Sequence, residues 1–372
     1  MPSEIEIKQQ RLSEFLERHG LDGVLLTRRD NFSWITAGRD NHIANNSPQG
    51  VASILATRDG TRLCFANAIE APRMQREELD GTGIETISFP WYDGAAARKA
   101  VEPILGGRKI AADGETFGLP LPPLPREFDE LRWSLTEAEI ERYRNGGRRA
   151  AAAMERACRE IRQGISENEA AGLLDYEIHR AGLNPLVTLV AGDERIARFR
   201  HPIPTDHSIR EQVMLVTCAA WGGLISCLTR FVRFSPVPKE LAGKHQAVCN
   251  VDATVNLATN PGRTLGDIFQ DLQQAYAANG FADQWQLHHQ GGPTGYNNRE
   301  GIGTPGNPTV VRDNQAFAWN PSITGTKSED TVLIRADGEP EVLTAHSQDW
   351  PSLDGRAADG QTLRGADVLV MA

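Results

Sequence analysis

The chain lacks long apolar runs, paired cysteines and an excess of basic residues. No run approaches the roughly 18 apolar residues that a membrane-spanning helix needs, and the polar start, Met1 to Gln10, has no apolar signal segment. Its five cysteines are scattered and form no C-x-x-C pair, so we expect reduced thiols in a cytoplasmic protein. The formal net charge of −10 argues against a general binder of nucleic acid or of anionic membranes.

The length and the order of the patterns predict two domains. At 372 residues, the chain exceeds the usual ~100 to 200 residues of a single domain. Helical and strand patterns alternate before residue 113, which is typical of a small α/β domain. The segment 118–126 (GLPLPPLPR) is rich in proline, which favours a rigid extended connector over an SH3-type ligand. We therefore predict one domain over 1–126 and a second over 127–372.

The second region repeats one pattern, two capped helices followed by strands. Thr136-x-x-Glu139 and Ser166-x-x-Glu169 are capping boxes that open the first pair of helices. A helical pattern over 239–259 and a helix capped by Thr264 form the second pair. This weak internal duplication, at a separation of about 100 residues, predicts two similar halves with a site between them.

Two histidine segments of this region are candidates for chemistry. His201 lies in a loop constrained by two prolines (RFRHPIPTD, 198–206), which can hold an imidazole in the fixed orientation that a general base needs. His288 and His289 enter a glycine-rich turn (290–296), where the backbone permits close approach of a ligand.

A hairpin and an acidic strand complete the set of candidates. Two strand patterns over 213–230 meet at Gly222-Gly223, which indicates a hairpin. Farther along, Glu329-Asp330 opens an apolar strand. Such a pair is unusual there unless one carboxylate is needed.

In this order, the segments resemble the creatinase, aminopeptidase P and methionine aminopeptidase family. That family has a D-x-G-x-x-x-x-G-Y-x-S-D-x-T-R hairpin, a G-H-G-I-G segment, an I-E-P segment and an E-D-T-V-L strand. The resemblance covers about 135 to 343. The matching residues are His201, Pro202, Ser226, Thr229, Arg230, His289, Gly292, Pro321 and 329–333. The resemblance implies an α/β (α+β) fold, with a small N-terminal domain followed by a duplicated "pita-bread" domain.

The departures from the family pattern concern its metal ligands. Metal-using members bind two ions with two Asp, one His and two Glu. The two aspartates fall here on Val216 and Cys227, and the I-E-P glutamate falls on Asn320, which leaves His289 and Glu329. Because a dinuclear site needs several carboxylates, we expect no metal cofactor. A single zinc held by Cys227, His289 and Glu329 is the alternative.

The resemblance therefore implies a hydrolase that works without metal, as creatinase does. It would cleave a C–N bond of a small polar amide, amidine or guanidino compound. His201 would shuttle the proton, His289 would orient the scissile group and Glu329 would pair with a cationic part of the substrate. Cys227 as a nucleophile is a further possibility, as is its use as a packed thiol. The alternatives are a metal-dependent Xaa-Pro peptidase and an inactive binding protein.

Several other residues are expected at the substrate. By resemblance, N-terminal residues of one subunit line the site of its partner in a homodimer, and Arg39 would bind a substrate carboxylate. The histidine that usually follows the G-H-G-I-G segment falls at Tyr296. The candidate substrate contacts are Arg39, His42, Arg200, Cys227, His288, Tyr296 and Asn320.

Overall fold

A computed structural model describes residues 2–336 and 339–371. The chain divides into two compact units, one of Met1–Arg132 with Thr136–Glu139 and one of Trp133–Leu135 with Ile140–Ala372. The domain boundary at 126/127 stays a prediction, which limited proteolysis would test. Among the described residues, no helix combines the length and the apolar character that crossing a membrane requires.

The first unit is built on a five-stranded sheet of order β4-β3-β2-β1-β5. Its elements, in chain order, are α1 (Glu4–His19), β1 (Gly23–Arg28), α2 (Arg29–Ile35), β2 (Gln49–Thr57), β3 (Arg62–Asn67), α3 (Ala71–Arg73, continued as a π turn over Met74–Glu78), β4 (Glu85–Phe89), α4 (Gly94–Leu105), β5 (Ile110–Ala112) and a 3-10 turn (Arg126–Arg132). The predicted α/β alternation is confirmed.

Local signals set the ends of α1. Ser3 and Glu6 form a reciprocal capping box at its start, and Gly20 ends it in the left-handed conformation. The apolar face includes Leu12 and Phe15, both without exposed surface. The proline-rich segment is extended as predicted, but it is no free connector, because Leu124 donates its backbone N–H to Ala112 at the end of β5.

The main part of the second unit starts at Ile140, inside the long helix α5. Its elements are α5 (Glu137–Glu160), α6 (Glu167–Arg180), β6 (Asn184–Gly192), α7 (Arg195–Arg198), β7 (Gln212–Trp221), β8 (Leu224–Arg233), α8 (Lys239–Ala258), α9 (Leu265–Ala278), a 3-10 turn (Gln284–Leu287), β9 (Gly291–Thr294), β10 (Gln315–Trp319), β11 (Ser322–Ile323), β12 (Thr326–Lys327), β13 (Val332–Ile334), β14 (Glu341–Val342), β15 (Ser352–Arg356), β16 (Thr362–Ala366) and β17 (Leu369–Val370).

The predicted duplication is visible in the second unit. Each half pairs two helices with a four-stranded sheet, of order β17-β8-β7-β6 in the first half and β14-β13-β10-β9 in the second. The caps expected at Ser166 and Thr264 accept hydrogen bonds from the backbone three residues on. Each half has its own apolar core between helices and sheet, centred on residues such as Met154 and Leu215 in the first and Leu272 and Phe317 in the second.

Strand β8 joins the two halves. It pairs with β7 through ten consecutive residue pairs around the predicted turn at Gly222-Gly223. On its other side, Ile225 donates its N–H to the carbonyl of Gly295 at 2.9 Å, and Thr229 donates to the carbonyl of Glu329 at 3.1 Å. The polar segments of both halves therefore meet along β8.

Candidate active site

Glu329 lies at the centre of a buried charged cluster between β12 and β13. Its side chain is 2% exposed. Oε2 accepts hydrogen bonds from Thr229 Oγ1 at 2.8 Å and Lys327 Nζ at 2.6 Å, and Oε1 accepts from Arg299 Nη2 at 3.2 Å. Despite the cost of burial, the two cations hold the pKa of Glu329 at about 2. The carboxylate is therefore ionised and fully engaged.

Arg299 connects this cluster to a pair of cysteines. Its Nη1 lies 3.7 Å from the Sγ atom of Cys227, which in turn lies 3.3 Å from Cys218 Sγ. The two cysteines are directly opposite each other on β7 and β8. The neighbouring thiol, together with Arg299, lowers the pKa of Cys227, and the pKa of Cys218 is raised.

Three histidines gather beside the charged cluster. His201 and His288 face each other with their Nε2 atoms 3.0 Å apart. The ring of His289 lies 4.6 Å from that of His288 and 5.2 Å from that of His201, centroid to centroid. The loop before β7 thus brings its histidine to the turn that enters β9.

All three imidazoles are held in the neutral form. Burial, followed by the charge of Lys327, lowers the pKa of His288 to about 2. Burial and the charge of Arg299 lower the pKa of His289 to about 4. The pKa of His201 is lowered as well, mainly by desolvation. Neutral imidazoles carry free lone pairs, which can accept a proton or bind a metal ion.

The family's carboxylate positions in this chain are packed as apolar or neutral sites. Val216 belongs to a buried apolar cluster that includes Met214, and Cys227, 0% exposed, packs with Ile225. Asn320 is buried and donates its N–H to the carbonyl of Gln290, and its Oδ1 has no hydrogen-bond partner among the described residues.

Two other expected substrate contacts have structural partners. Arg200 donates to Gln284 and Thr324, and it lines a small cavity together with His288 and Lys327. The hydroxyl of Tyr296 accepts a hydrogen bond from Arg142, and the side chain is 3% exposed.

The candidates Arg39 and His42 belong to the first unit. Arg39 is exposed, and its carbonyl accepts from the hydroxyl of Ser33. His42 makes a 2.6 Å contact with the carboxylate of Asp40. Their assignment to a substrate site stays a prediction.

The donor set at the family's metal position does not fit a divalent ion. Glu329 is already paired with Lys327 and Arg299. Its negative charge is therefore not available to balance the charge of an ion. The trio proposed for a single zinc, which adds Cys227 and His289 to this glutamate, is not among the ligand groups that converge in the described part of the chain. Those groups are His201, His288 and His289, and Asp193, Glu194 and His207.

Sequence reasoning missed Lys327 and Arg299. Lys327 lies two residues before Glu329 in an extended stretch, and residues at that spacing point to the same side. The sequence alone could therefore have placed these two side chains together. Arg299 follows the glycine-rich turn by several residues, and only the folded turn brings it to Glu329.

Known proteins share this architecture. A Xaa-Pro dipeptidase from Bacillus anthracis is 19% identical with a TM-score of 0.75, covering 93% of this chain and 99% of its own. The prolidase from Pyrococcus horikoshii is 19% identical with a TM-score of 0.74, covering 92% and 99%. These likenesses confirm the predicted pita-bread fold with its N-terminal domain. An uncharacterized peptidase of Staphylococcus saprophyticus is 21% identical over 92% of this chain and its full length.

The family model of the M24 metallopeptidases matches residues 141–336, which include every histidine and carboxylate of the described cluster. This match overturns the expectation that no metal cofactor is used, because the family is one of metallopeptidases. It confirms the resemblance read from the four segments. The chain belongs to metallopeptidase family M24.

Proposed function

We propose that the chain is a hydrolase that cleaves the amide bond of a short peptide in the cleft formed by the three histidines and the Glu329 cluster. One observation carries this proposal: three neutral imidazoles adjoin two cations held by one buried carboxylate. Bases and positive charge are the two things that hydrolysis of an amide needs. The M24 family assignment supports a peptide over the amidine or guanidino compound expected from the sequence.

The imidazoles are proposed to activate the attacking water. His201 is exposed, so it is the ring that solvent reaches first. Its Nε2 contact with His288 at 3.0 Å orients the ring, as a general base requires. His289 would position the scissile group from the side of the glycine-rich turn.

The charged cluster is proposed to stabilise negative charge. Amide hydrolysis places charge on the carbonyl oxygen in the transition state, where preorganised donors have their largest effect. Arg299 and Lys327 are such donors, and Glu329 fixes their positions. Glu329 is thus proposed as a catalytic group that acts through these cations.

The substrate is proposed to be a short peptide with a free carboxylate, with proline in the second position as the first choice. The cations favour an anionic group, and two of the similar solved structures are a prolidase and a Xaa-Pro dipeptidase. We also propose a cytoplasmic homodimer. The five free cysteines are consistent with a reducing compartment.

An inactive binding protein on the same fold is the second candidate. It is favoured by the packing of Val216 and Cys227, two family ligand positions, into apolar clusters. Such a protein would bind the same peptides without cleaving them.

A panel of Xaa-Pro and non-proline dipeptides, incubated with and without added Mn²⁺, Co²⁺ or Zn²⁺, separates these candidates. Cleavage that falls at least a hundredfold in His201→Ala and Arg299→Met, but not in His179→Ala on the exposed end of α6, supports the proposal. Binding of the peptides with no cleavage under any condition would replace it with the second candidate.

A further inference from the structure

We propose that His201, His288 and His289 form a binding site for a single transition-metal ion of the zinc type. The site differs from the carboxylate-rich position of the family and shares no carboxylate with it. The existence of the binding site does not depend on the proposed function. Its role does, because the ion would be the group beside which water is activated.

The geometry of the three rings suits a tetrahedral ion. One possible ligand atom from each ring lies within 4.8 Å of the others. Zn–N bonds of about 2.0–2.1 Å at tetrahedral angles place ligand nitrogens about 3.3 Å apart. The Nε2 atoms of His201 and His288 are 3.0 Å apart, close to that spacing, and the ligand atom of His289 has to approach them by at most about 1.5 Å.

The protonation state also suits metal binding. An imidazole ligates only as the neutral form, and its other nitrogen is commonly oriented by a second contact. His288 Nδ1 lies 3.5 Å from the hydroxyl of Ser322, which leaves its Nε2 for the ion. Nδ1 of His289 accepts the N–H of Gly291 at 3.3 Å, and this long contact has to be given up when the ring takes the tautomer with a free Nε2.

The ligand chemistry selects the metal. Three imidazoles and no carboxylate suit Zn²⁺, Co²⁺, Ni²⁺ or Cu²⁺ and disfavour Mg²⁺, Ca²⁺ and Mn²⁺. Three protein ligands leave the fourth position of zinc open, as in catalytic zinc sites. Lys327 and Arg299 both pair with the carboxylate of Glu329, so an ion at the histidines would add positive charge to the cleft. An anionic group, such as a peptide carboxylate, would therefore bind with the ion.

The test is titration of the chelator-treated full chain with Co²⁺, followed by visible absorption, and with Zn²⁺, followed by calorimetry. We expect one ion per chain and the intense absorption of four-coordinate cobalt. Affinity should fall at least tenfold in His201→Ala and in His288→Gln. Cys227→Ala and His207→Ala, which alter the rejected trio and the other convergent group, should bind as tightly as the unaltered chain.

Three outcomes would overturn the inference: no binding, two ions per chain, or unchanged affinity in His201→Ala, whose exposed side chain makes misfolding a poor explanation. Failure of the proposed function looks different. Cobalt that binds at the histidines of a chain that cleaves no peptide leaves the metal site standing. Cleavage that persists after chelation, in a chain that binds no ion, removes the metal site and leaves the hydrolase.

Discussion

Arg299 and Glu329 form a buried ion pair, with 3.2 Å between Nη2 and Oε1, although thirty residues separate them in the chain. Lys327 contacts the second oxygen of the same carboxylate at 2.6 Å. One carboxylate therefore balances two cations inside the protein. This arrangement makes the glutamate a structural requirement as well as a proposed catalytic group.

Glu329→Gln should destabilise the protein by about 3–5 kcal/mol, because it leaves two buried cations without a counter-charge. The measurement is the free energy of unfolding in urea. Glu240→Gln, which removes an exposed partner of Lys244, should leave stability almost unchanged, because solvent screens that pair. A Glu329 variant as stable as the Glu240 control would show that the cations find other partners.

The buried carboxyl group of Asp252 should make the stability of the protein depend on pH. Burial raises its pKa from 3.8 to about 7, so the folded state keeps a proton that the unfolded state loses. Stability should therefore fall as pH rises from about 4 to about 7. Asp252→Asn can still accept from Asn256 Nδ2 and can donate to Ser328 Oγ, the two groups that contact the carboxylate.

The Asp252→Asn protein should be more stable than the unaltered chain at pH 8 and close to it at pH 4. Thermal unfolding followed by circular dichroism at the two pH values measures the difference. Equal stabilising effects at both values would contradict a raised pKa.

Two helical glycines should respond in opposite directions to alanine. In α5, a Cβ on Gly147 would lie 2.3 Å from the carbonyl oxygen of Leu343, so Gly147→Ala should cost about 1–3 kcal/mol. In α6, a Cβ on Gly172 meets nothing within 4 Å, so Gly172→Ala should stabilise by about 0.5–1 kcal/mol. Chemical denaturation of both variants measures the change in the free energy of unfolding. Changes of the same sign in the two variants would contradict the packing of α5 against Leu343.

The Cys218–Cys227 pair should form an intramolecular disulfide under mild oxidation. The Sγ atoms are 3.3 Å apart, and each thiol would lose one proton and one electron to an azo oxidant such as diamide. Mass spectrometry should show the loss of two hydrogens, with the linkage mapped between these two residues. Cys218→Ser should abolish it and Cys158→Ser should not. A disulfide that maps to any other pair would contradict the strand register.

Local features of the fold were predictable from the sequence. The caps at Ser166 and Thr264 and the hairpin at Gly222-Gly223 depend on neighbours within four residues. Such signals are complete within a short window, and all three were confirmed. The four segments along 198–333 were enough to identify the fold.

The charged part of the site was less predictable. Replacement of the hairpin aspartate by Cys227 is visible in the sequence, but the sequence does not show what replaces the metal charge. That charge comes from Lys327 and Arg299, and the second arrives through a turn whose path depends on tertiary packing. The expectation of no metal, which the match to the metallopeptidase family overturns, counted the ligands of one position only and did not consider three histidines that converge after folding.

The position of β8 between the two halves has a kinetic consequence. The hydrogen bond from Thr229 to Glu329 joins residues 100 positions apart, and the bond from Cys227 to Thr331 joins residues 104 apart. Contacts of such long sequence separation form after local ones, because the entropy of loop closure must be met first. A refolding chain should therefore recover its helical circular dichroism before it recovers its cleft, and activity should be the last property to return.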